Sequence, residues 1–405
     1  MPTPQYKRPF DGIRVVDFSW AAAGPLCTLY LAMLGAEVIK IESSRSPDIA
    51  RRGFYTPVAD INASPNFNDV SINKRDIRLN ITHPKGRDLA LKLISQSDAV
   101  LENYRPGVMD RNGLGYETLR KVRPDIVMVS ASTSGAKGPE NHLGGYATTF
   151  GALGGMAHIT GHLGGPDTEI WDSSDMRLGT GITFAMMTAL YHRRKTGRGQ
   201  HVDIASREII SSNVGDIFMD YFMNQRLART RGNRDDIMAP HNCYPCTGDD
   251  RWISIAVQTD KEWQALCDVA KRPDWAKDER FADAYLRSVN QDALDALLAQ
   301  WTRDQDAWEL TRALQQAGVA AMPSLPADEI FHDPHSKARG IFWDVEHPKL
   351  GATHPVRPPW ILSETPARPD RYGPMFGQDQ EAILGEVAGL TKTELETLRG
   401  EGVFE

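Results

Sequence analysis

The stretch GIRVVDFSWAAAGPLCTLYLAMLGAEVIKIE, residues 12–42, decides the fold of this chain. Residues 12–20 are largely apolar and β-branched, which predicts a buried strand ending in a small-residue turn. A helix is predicted over 25–34 with Gly35 as its stop, and AEVIKIE, residues 36–42, predicts a second strand. A strand, a helix and a second strand within about thirty residues predict a right-handed βαβ unit.

The same alternation continues after this unit. Helices are predicted at 84–97 and 116–122, and strands at 98–104 and 123–132. The pattern predicts an open parallel α/β sheet with helices on both faces. Sheets of this kind bind ligands in the loops at the carboxyl ends of their strands.

Three loops follow the carboxyl ends of predicted strands: AAAGP at 21–25, ENYRPG at 102–107 and the glycine-rich stretch 133–165. Glycine at this density lets backbone N–H groups approach a ligand closely. The chain lacks a GxGxxG after its first strand, and it lacks a GxxxxGK[ST] motif. The sequence therefore does not support a dinucleotide site or a P-loop phosphate site.

The length of 405 residues favours more than one domain. Residues 1–224 contain the predicted parallel sheet. Residues 225–330 are predicted to form a second compact unit, with a strand at 252–259 and amphipathic helices. Residues 331–405 are first rich in proline, as expected of a segment that crosses a surface, and end in a short predicted helix at 390–400.

Composition argues against several classes of protein. Hydrophobic residues make up 41% and charged residues 24%, which is ordinary for a soluble globular chain, and the net charge of −7 argues against a nucleic-acid partner. The longest apolar run, residues 181–191, is too short to span a bilayer. The N-terminus has no apolar signal segment, and four cysteines fit a reducing cytoplasm. We therefore expect a cytoplasmic protein without a membrane partner.

Cys243 and Cys246 form a CxxC motif close to His241, which is a candidate metal-binding motif. A structural zinc site normally needs a second pair of ligands, and the sequence offers none at suitable spacing. We therefore predict no metal site and interpret these thiols as buried or incidental.

The sharpest candidate for chemistry is Asp175 in SDMRLGTG, residues 174–181. It lies where the apolar stretch 181–195, a predicted long buried helix, is about to begin. A carboxylate at a helix N-terminus is favoured as the anion by the helix dipole and the unpaired N–H groups, which suits a nucleophile. Aspartate is also a common helix N-cap with no further role, and Asp172 could equally be the cap or the nucleophile. The local sequence leaves these alternatives open.

Several motifs occur in an order that resembles one family. After the opening stretch come NKRDIRLNI at 73–81, ENYRPGVMDRNGLGY at 102–116, DMRLG at 175–179, RRKTGRGQHVDIA at 193–205 and PMFG at 374–377. In this order they resemble the class III CoA-transferases, the formyl-CoA transferase and carnitine CoA-transferase type. The similarity runs from about residue 10 to the C-terminus, which is nearly the whole chain.

The resemblance implies that Asp175 is the catalytic aspartate, because the family's aspartate stands four residues before a helix glycine, here Gly179. It implies that this carboxylate takes the acyl group of a donor such as succinyl-CoA as an anhydride. An aspartyl-CoA thioester follows, and an acceptor carboxylic acid then collects the CoA. Coenzyme A is thus expected as a substrate, and no tightly bound cofactor is expected.

The resemblance also implies an architecture. It predicts a Rossmann-like large domain made from both ends of the chain and a smaller α+β domain. It further predicts a dimer of interlocked rings, formed by two copies of this chain or by this chain and a related subunit.

Particular residues are expected to contact CoA because they match the family's positions. Ala22 and Ala23 stand in the turn whose backbone approaches the adenine end. Asn73, Lys74 and Arg75 are expected near phosphate or ribose groups of CoA. Asn103 and Tyr104 match an Asn-Phe pair of the family, and Arg111 matches a phosphate-binding arginine.

Two alternatives to a transferase remain. The related 2-methylacyl-CoA racemases share the fold and the aspartate but need a histidine in a Gly-His pair, and the matching pair here is Gly145-Tyr146. A tyrosine, with a pKa near 10, is a poor second acid/base. A non-catalytic CoA-binding partner subunit would have no reason to keep Asp175. Within the family, WAAAGP and YATTFGALGGM are nearer to members that act on aryl-substituted succinates such as benzylsuccinate than to formate or oxalate enzymes.

Overall fold

A six-stranded parallel sheet, with the order β3-β2-β1-β4-β5-β6, is the main feature of the fold. The structure is a computed structural model that describes residues 7–54, 57–169 and 173–405. The six strands are β1 Arg14–Asp17, β2 Glu37–Glu42, β3 Arg75–Arg78, β4 Ala99–Glu102, β5 Val127–Ser132 and β6 Gln200–Ala205. The α/β class predicted from the sequence is confirmed.

Helices cover both faces of this sheet. The helices before residue 225 are α1 Ala23–Met33, α2 Pro65–Asp69, α3 Pro84–Ser95, α4 Val108–Arg111, α5 Tyr116–Val122, α6 Ala147–Leu153, α7 Met156–Ile159, α8 Ser173–Thr196, α9 Ser206–Ser212 and α10 Gly215–Asn224. A short 3₁₀ helix occupies Ile49–Arg52. Among the described helices, none is long and apolar enough to cross a membrane.

The strands carry apolar residues on both sides because helices bury both faces. Val15 points into a core shared with α1 and α8, and the next residue, Val16, points into a core shared with α3. Both side chains are fully buried. Successive side chains point to opposite faces of the sheet, and both faces are buried. The first strand is therefore an almost continuous apolar run.

Two details differ from the sequence prediction. The segment Arg75–Arg78, taken only as part of a motif, is the edge strand β3 and pairs in parallel with β2. Helix α8 begins at Ser173, so it includes both Asp175 and the whole of the predicted 181–195 stretch. It is also less buried than expected, since Phe184 is 74% exposed.

The chain divides into two compact units. The first comprises the chain up to Ala157, Glu169–Leu227 and His335–Glu405, and the second comprises His158–Thr168 and Ala228–Pro334. The second unit has a three-stranded antiparallel sheet in the order β7-β8-β9. Its elements are β7 His241–Pro245, β8 Trp252–Ala256, β9 Ala320–Pro323, α11 Asp260–Val269, α12 Pro273–Ala276, 3₁₀ Glu279–Phe281, α13 Ala284–Val289, α14 Gln291–Thr302, α15 Ala307–Gln316 and α16 Ala327–His332.

The C-terminal segment returns to the first unit. Its elements are α17 Pro334–Arg339, β10 Val345–His347, β11 Gly351–Thr353, α18 Gln380–Glu386 and α19 Lys392–Gly400. Leu384, Leu395 and Phe404 are buried in the core that also contains Val16. The last helices therefore complete one face of the parallel sheet.

Candidate active site

The strand order places a topological switch point between β1 and β4. Loops that leave neighbouring strands in opposite directions open a crevice at such a point. A cleft of about 450 Å³ lies there. Its lining includes the segments 20–23, 103–105, 131–133 and 143–146, together with Asp175.

Asn103 ties together the loops on the two sides of the switch point. Its Oδ1 accepts a hydrogen bond from Trp20 N at 2.8 Å, and its Nδ2 donates to Trp20 O at 2.9 Å. The rings of Trp20 and Tyr104 meet edge to face with centroids 5.8 Å apart. The β1 turn and the loop after β4 therefore form one wall of the cleft.

Gly24 is required by the close approach of α1 to this wall. A Cβ on Gly24 would lie 2.4 Å from Ser19 Cβ and 3.4 Å from Asn103 Nδ2. Atoms cannot approach so closely, so a side chain at Gly24 would separate α1 from the turn that precedes it.

Gly179 has the same role between α1 and α8. A Cβ there would lie 2.6 Å from Leu26 Cδ2 and 2.9 Å from Ala23 O. Helix α8 therefore passes α1 almost at backbone contact. Asp175 stands four residues earlier, about one helical turn, and so shares this face of α8. The contact at Gly179 is the physical reason why the DMRLG spacing delivers Asp175 to the cleft.

Asp175 lies in the first turn of α8 and is partly buried. The dipole of this 24-residue helix favours a negative charge at that end. The alternative candidate, Asp172, lies outside the described residues.

The structure brings together some of the predicted CoA contacts. Ala22, Ala23, Asn103 and Tyr104 line the cleft together with Asp175. These residues come from three separate stretches of sequence, and the sheet topology is what makes them neighbours.

Asn73 lies elsewhere and holds the return segment. With a backbone φ of +67°, it accepts through Oδ1 from Asp370 N at 2.6 Å and from Arg371 N at 3.0 Å. Its Nδ2 donates to Arg368 O at 2.8 Å. These contacts support a structural role.

Lys74 and Arg75 also contact protein groups instead of the cleft. Lys74 is fully buried, with Nζ donating to Pro25 O at 2.9 Å and lying 3.3 Å from Asp17 Oδ2. Burial lowers the pKa of Lys74 to about 8, although Asp17 opposes the shift. Arg75 Nη1 lies 2.8 Å from Glu37 Oε1. Lys74 directly precedes the edge strand β3 and Arg75 begins it, and neither residue is in the described lining of the cleft.

Arg111 is exposed on α4 and lies outside the described lining of the cleft. Arg105, which the sequence analysis did not single out, does line it. The Arg105 guanidinium packs so closely on Gly144 that a Cβ there would lie 2.6 Å from Nη2. The available signal was its position directly after Asn103 and Tyr104 in ENYRPG.

Tyr146 is the residue that the sequence motifs match to the histidine of the racemases. It lines the cleft and is 72% exposed. His142 lies outside the described lining, and His158 belongs to the second unit, where Nδ1 is 3.1 Å from Asp167 Oδ2. Asp175 and the phenol of Tyr146 both line the cleft, and its described lining contains no histidine.

Glu102 ends β4 directly before the cleft wall. It is buried, and its Oε2 accepts from Tyr104 N at 2.8 Å. Burial raises the pKa of Glu102 to about 7, while hydrogen bonds from Ser130 and Tyr104 act in the opposite direction.

The CxxC lies in the second unit. Cys243 Sγ is 3.1 Å from Ser254 Oγ, and Cys246 is buried, which raises its pKa. Across residues 7–54, 57–169 and 173–405, no group of three or more His, Cys, Asp or Glu side chains is arranged to hold a metal ion.

Comparisons with known proteins bear on the family of this chain. The model of CoA-transferase family III matches residues 10–380. The succinyl-CoA–D-citramalate CoA-transferase of Chloroflexus aurantiacus is 32% identical over 414 residues, covering 100% of both chains. The beta subunit of the succinyl-CoA–L-malate CoA-transferase of the same organism is 31% identical, covering 98% of both chains. A CAIB/BAIF family protein from Brucella suis has a TM-score of 0.86 and 30% identity, over 94% of this chain and 100% of that one.

The chain belongs to CoA-transferase family III. It is an enzyme that moves coenzyme A between an acyl-CoA and a carboxylic acid, with CoA thioesters as its substrates. The family expected from the sequence motifs is confirmed.

Proposed function

We propose that the protein transfers CoA from succinyl-CoA to a short dicarboxylic acid through covalent intermediates on Asp175. The observation that carries this proposal is the position of Asp175 on the first turn of α8, facing the same cleft as Ala22, Ala23 and Asn103. The dipole at a helix N-terminus favours the anionic form of a carboxylate, which is the form that a nucleophile needs.

The exchange begins when a carboxylate oxygen of Asp175 attacks the thioester carbon of the donor. The C–S bond breaks, CoA leaves as the thiolate, and a mixed anhydride forms. The thiolate then attacks the Asp175 carbonyl carbon, which releases the donor acid and leaves an aspartyl-CoA thioester. The acceptor carboxylate attacks that carbon and expels the thiolate. The thiolate finally attacks the acyl carbon of the acceptor, and Asp175 is regenerated.

Backbone N–H groups beside Asp175 are suited to the oxyanions of these steps. Gly144 and Gly145 line the cleft, and the N-terminus of α1 at Ala22 and Ala23 has no side-chain cap. Donors fixed before the reaction stabilise developing charge without reorganisation. Water must be excluded, because it would hydrolyse both the anhydride and the thioester.

The substrate class follows from the relatives and from charge. Two relatives use succinyl-CoA and a hydroxy dicarboxylic acid, according to their names. Arg105 supplies an exposed cation in the cleft that fits the second carboxylate of such an acid or a phosphate of CoA. Benzylsuccinate shares the two carboxylates, so a panel of L-malate, D-citramalate and benzylsuccinate separates the candidates.

Asp175→Asn tests the nucleophile. The amide keeps the shape of the side chain but cannot form an anhydride, so we expect transfer to fall by about a thousandfold or more while CoA still binds. Wild type incubated with succinyl-CoA and quenched with hydroxylamine should carry a hydroxamate on Asp175, located by mass spectrometry.

Asp172→Asn is the matched control, because Asp172 lies on the same peptide as Asp175. The Asp172→Asn enzyme should keep its activity. A label on Asp172, or near-normal turnover by Asp175→Asn, would contradict the assignment. Racemisation of a 2-methylacyl-CoA without labelling of either aspartate would favour the racemase instead.

A further inference from the structure

In the turn between β1 and α1, consecutive backbone N–H and C=O groups form hydrogen bonds with side chains. Asp17 Oδ1 accepts from Ser19 N at 2.8 Å, and Asn103 binds both Trp20 N and Trp20 O. An irregular turn must find partners for its buried N–H and C=O groups, and here the partners are side chains.

A buried ion pair holds the rest of this turn. Lys40 Nζ lies 2.8 Å from Asp48 Oδ2, and both side chains are fully buried. Lys40 Nζ also donates to Ser19 O, and Asp48 Oδ1 accepts from Ala21 N at 3.0 Å. The two members of the pair therefore hold opposite sides of the turn, one at a carbonyl and the other at an N–H group.

Ala21 needs such a hold because its backbone is strained. Its φ of +64° lies in the left-handed region, which costs an L-residue with a side chain about 1–2 kcal/mol. The hydrogen bond to Asp48 offsets part of this cost. The next residues are Ala22 and Ala23, which line the cleft beside Asp175.

The pair is better explained by geometry than by stability. A buried ion pair is often no more stabilising than well-packed apolar side chains of similar volume, because both charges lose their hydration. What apolar side chains could not supply is a donor aimed at Ser19 O and an acceptor aimed at Ala21 N. Burial alone would lower the pKa of Lys40, but Asp48 and Asp17 raise it above its ordinary value, so the ammonium stays charged.

We propose that Lys40 and Asp48 are positioning residues for acyl-CoA. They fix the Ser19–Ala21 turn so that Ala22 and Ala23 are already in place when the thioester arrives beside Asp175. This inference rests on the proposed function, because it takes the cleft to be the CoA site. The pair acts through the turn and does not touch the substrate.

Two double variants test the proposal. Lys40→Met with Asp48→Leu removes both holds and leaves an apolar pair, whereas Lys40→Met with Asp48→Asn keeps an acceptor for Ala21 N. The control is Arg193→Met with Asp125→Asn, which breaks an ion pair with Nε–Oδ2 at 2.9 Å at the opposite end of the same sheet. Each protein is measured for melting temperature, CoA dissociation constant by calorimetry, and kcat/KM for succinyl-CoA.

We expect the Met/Leu variant to bind CoA about tenfold more weakly and to lose about tenfold to a hundredfold in kcat/KM, because small misplacements have effects of this size. The Met/Asn variant should lose less. The control should stay within about twofold of wild type in CoA affinity and kcat/KM, even where its melting temperature falls. CoA affinity and kcat/KM unchanged in both folded double variants would overturn the proposal.

Hydrogen exchange of the wild type decides the matter if the variants do not fold. The Ala21 amide should exchange slowly in the free enzyme, and equally slowly with CoA bound, if the turn is formed in advance. Fast exchange without CoA would overturn the proposal. A wild type that binds CoA but gives no label on Asp175 would instead refute the proposed function.

Discussion

Glu102 links the protonation of a buried carboxyl group to the backbone of the cleft wall. Its side chain accepts from Tyr104 N, and the residue is 7% exposed. Burial raises its pKa from 4.5 to about 7 in the folded protein. The folded protein therefore holds this proton more tightly than the unfolded chain does.

The free energy of unfolding should accordingly fall as pH rises from about 4.5 to about 7, and this residue should contribute roughly 3 kcal/mol to the fall. Below that window both states are protonated, and above it both are ionised. Glu102→Gln should remove this contribution. The free energy of unfolding of the variant should therefore fall less than that of the wild type when the pH is raised from 5 to 8. Urea unfolding at both values measures it. Glu117→Gln makes the same substitution at an exposed position and is the control. An equal slope for wild type and Glu102→Gln would contradict the prediction.

At the residue scale, some of the residues that the sequence motifs indicate are neighbours in the structure. Asp175, Ala22 and Asn103 were singled out from motifs, and they lie in one cleft. The roles of the cationic residues were harder to predict. Lys74 and Arg105 are both cationic residues, yet Lys74 is fully buried in an ion pair and Arg105 lines the cleft. Burial depends on which strands pair, which a single residue does not reveal.

The contact of α1 with α8 is the arrangement at the scale of elements that sets the position of Asp175. The approach is limited at Gly179, where a Cβ would lie 2.9 Å from Ala23 O, a backbone atom that cannot easily yield. Helix propensity alone would make alanine better here by up to about 1 kcal/mol.

Gly179→Ala should nevertheless destabilise the protein by about 1–3 kcal/mol, because the added methyl group forces the two helices apart. We expect kcat/KM to fall as well, since the same shift moves Asp175. Gly400→Ala, at the last residue of α19, where a Cβ meets open space, is the control and should be neutral. Melting temperature and succinyl-CoA kinetics test both variants. An unaltered Gly179→Ala enzyme would show that the helices have room to adjust.

Helix α10 presents an exposed apolar surface at the scale of the whole molecule. The structure describes the whole of Gly215–Asn224, and no residue in it is buried. The apolar side chains of Phe222 and Met223 are 70% and 73% exposed. A helix this apolar is not expected to face water, and a large exposed apolar patch marks an interface. We therefore expect this surface to be covered by another subunit, in line with the dimer implied by the family.

Phe222→Glu combined with Met223→Glu should convert the assembly to monomers, because two charges would have to be buried in the interface. Sedimentation at micromolar concentration measures the state. Arg120→Glu with Lys121→Glu, on the exposed surface of α5, should leave the assembly intact. A wild type that sediments as a monomer would contradict the expectation.

The sequence by itself determined the parallel α/β sheet, the family and the nucleophile candidate. These depend on local patterns: an apolar strand, a small-residue turn, and an aspartate one helical turn before a glycine. Only the tertiary structure decided that Arg75–Arg78 is an edge strand, that Lys74 is buried, and that Lys40 and Asp48 brace the turn after β1. The physical reason is that strand pairing and burial join residues far apart in the chain. The role of a charged side chain therefore depends on the groups that lie next to it in the folded structure.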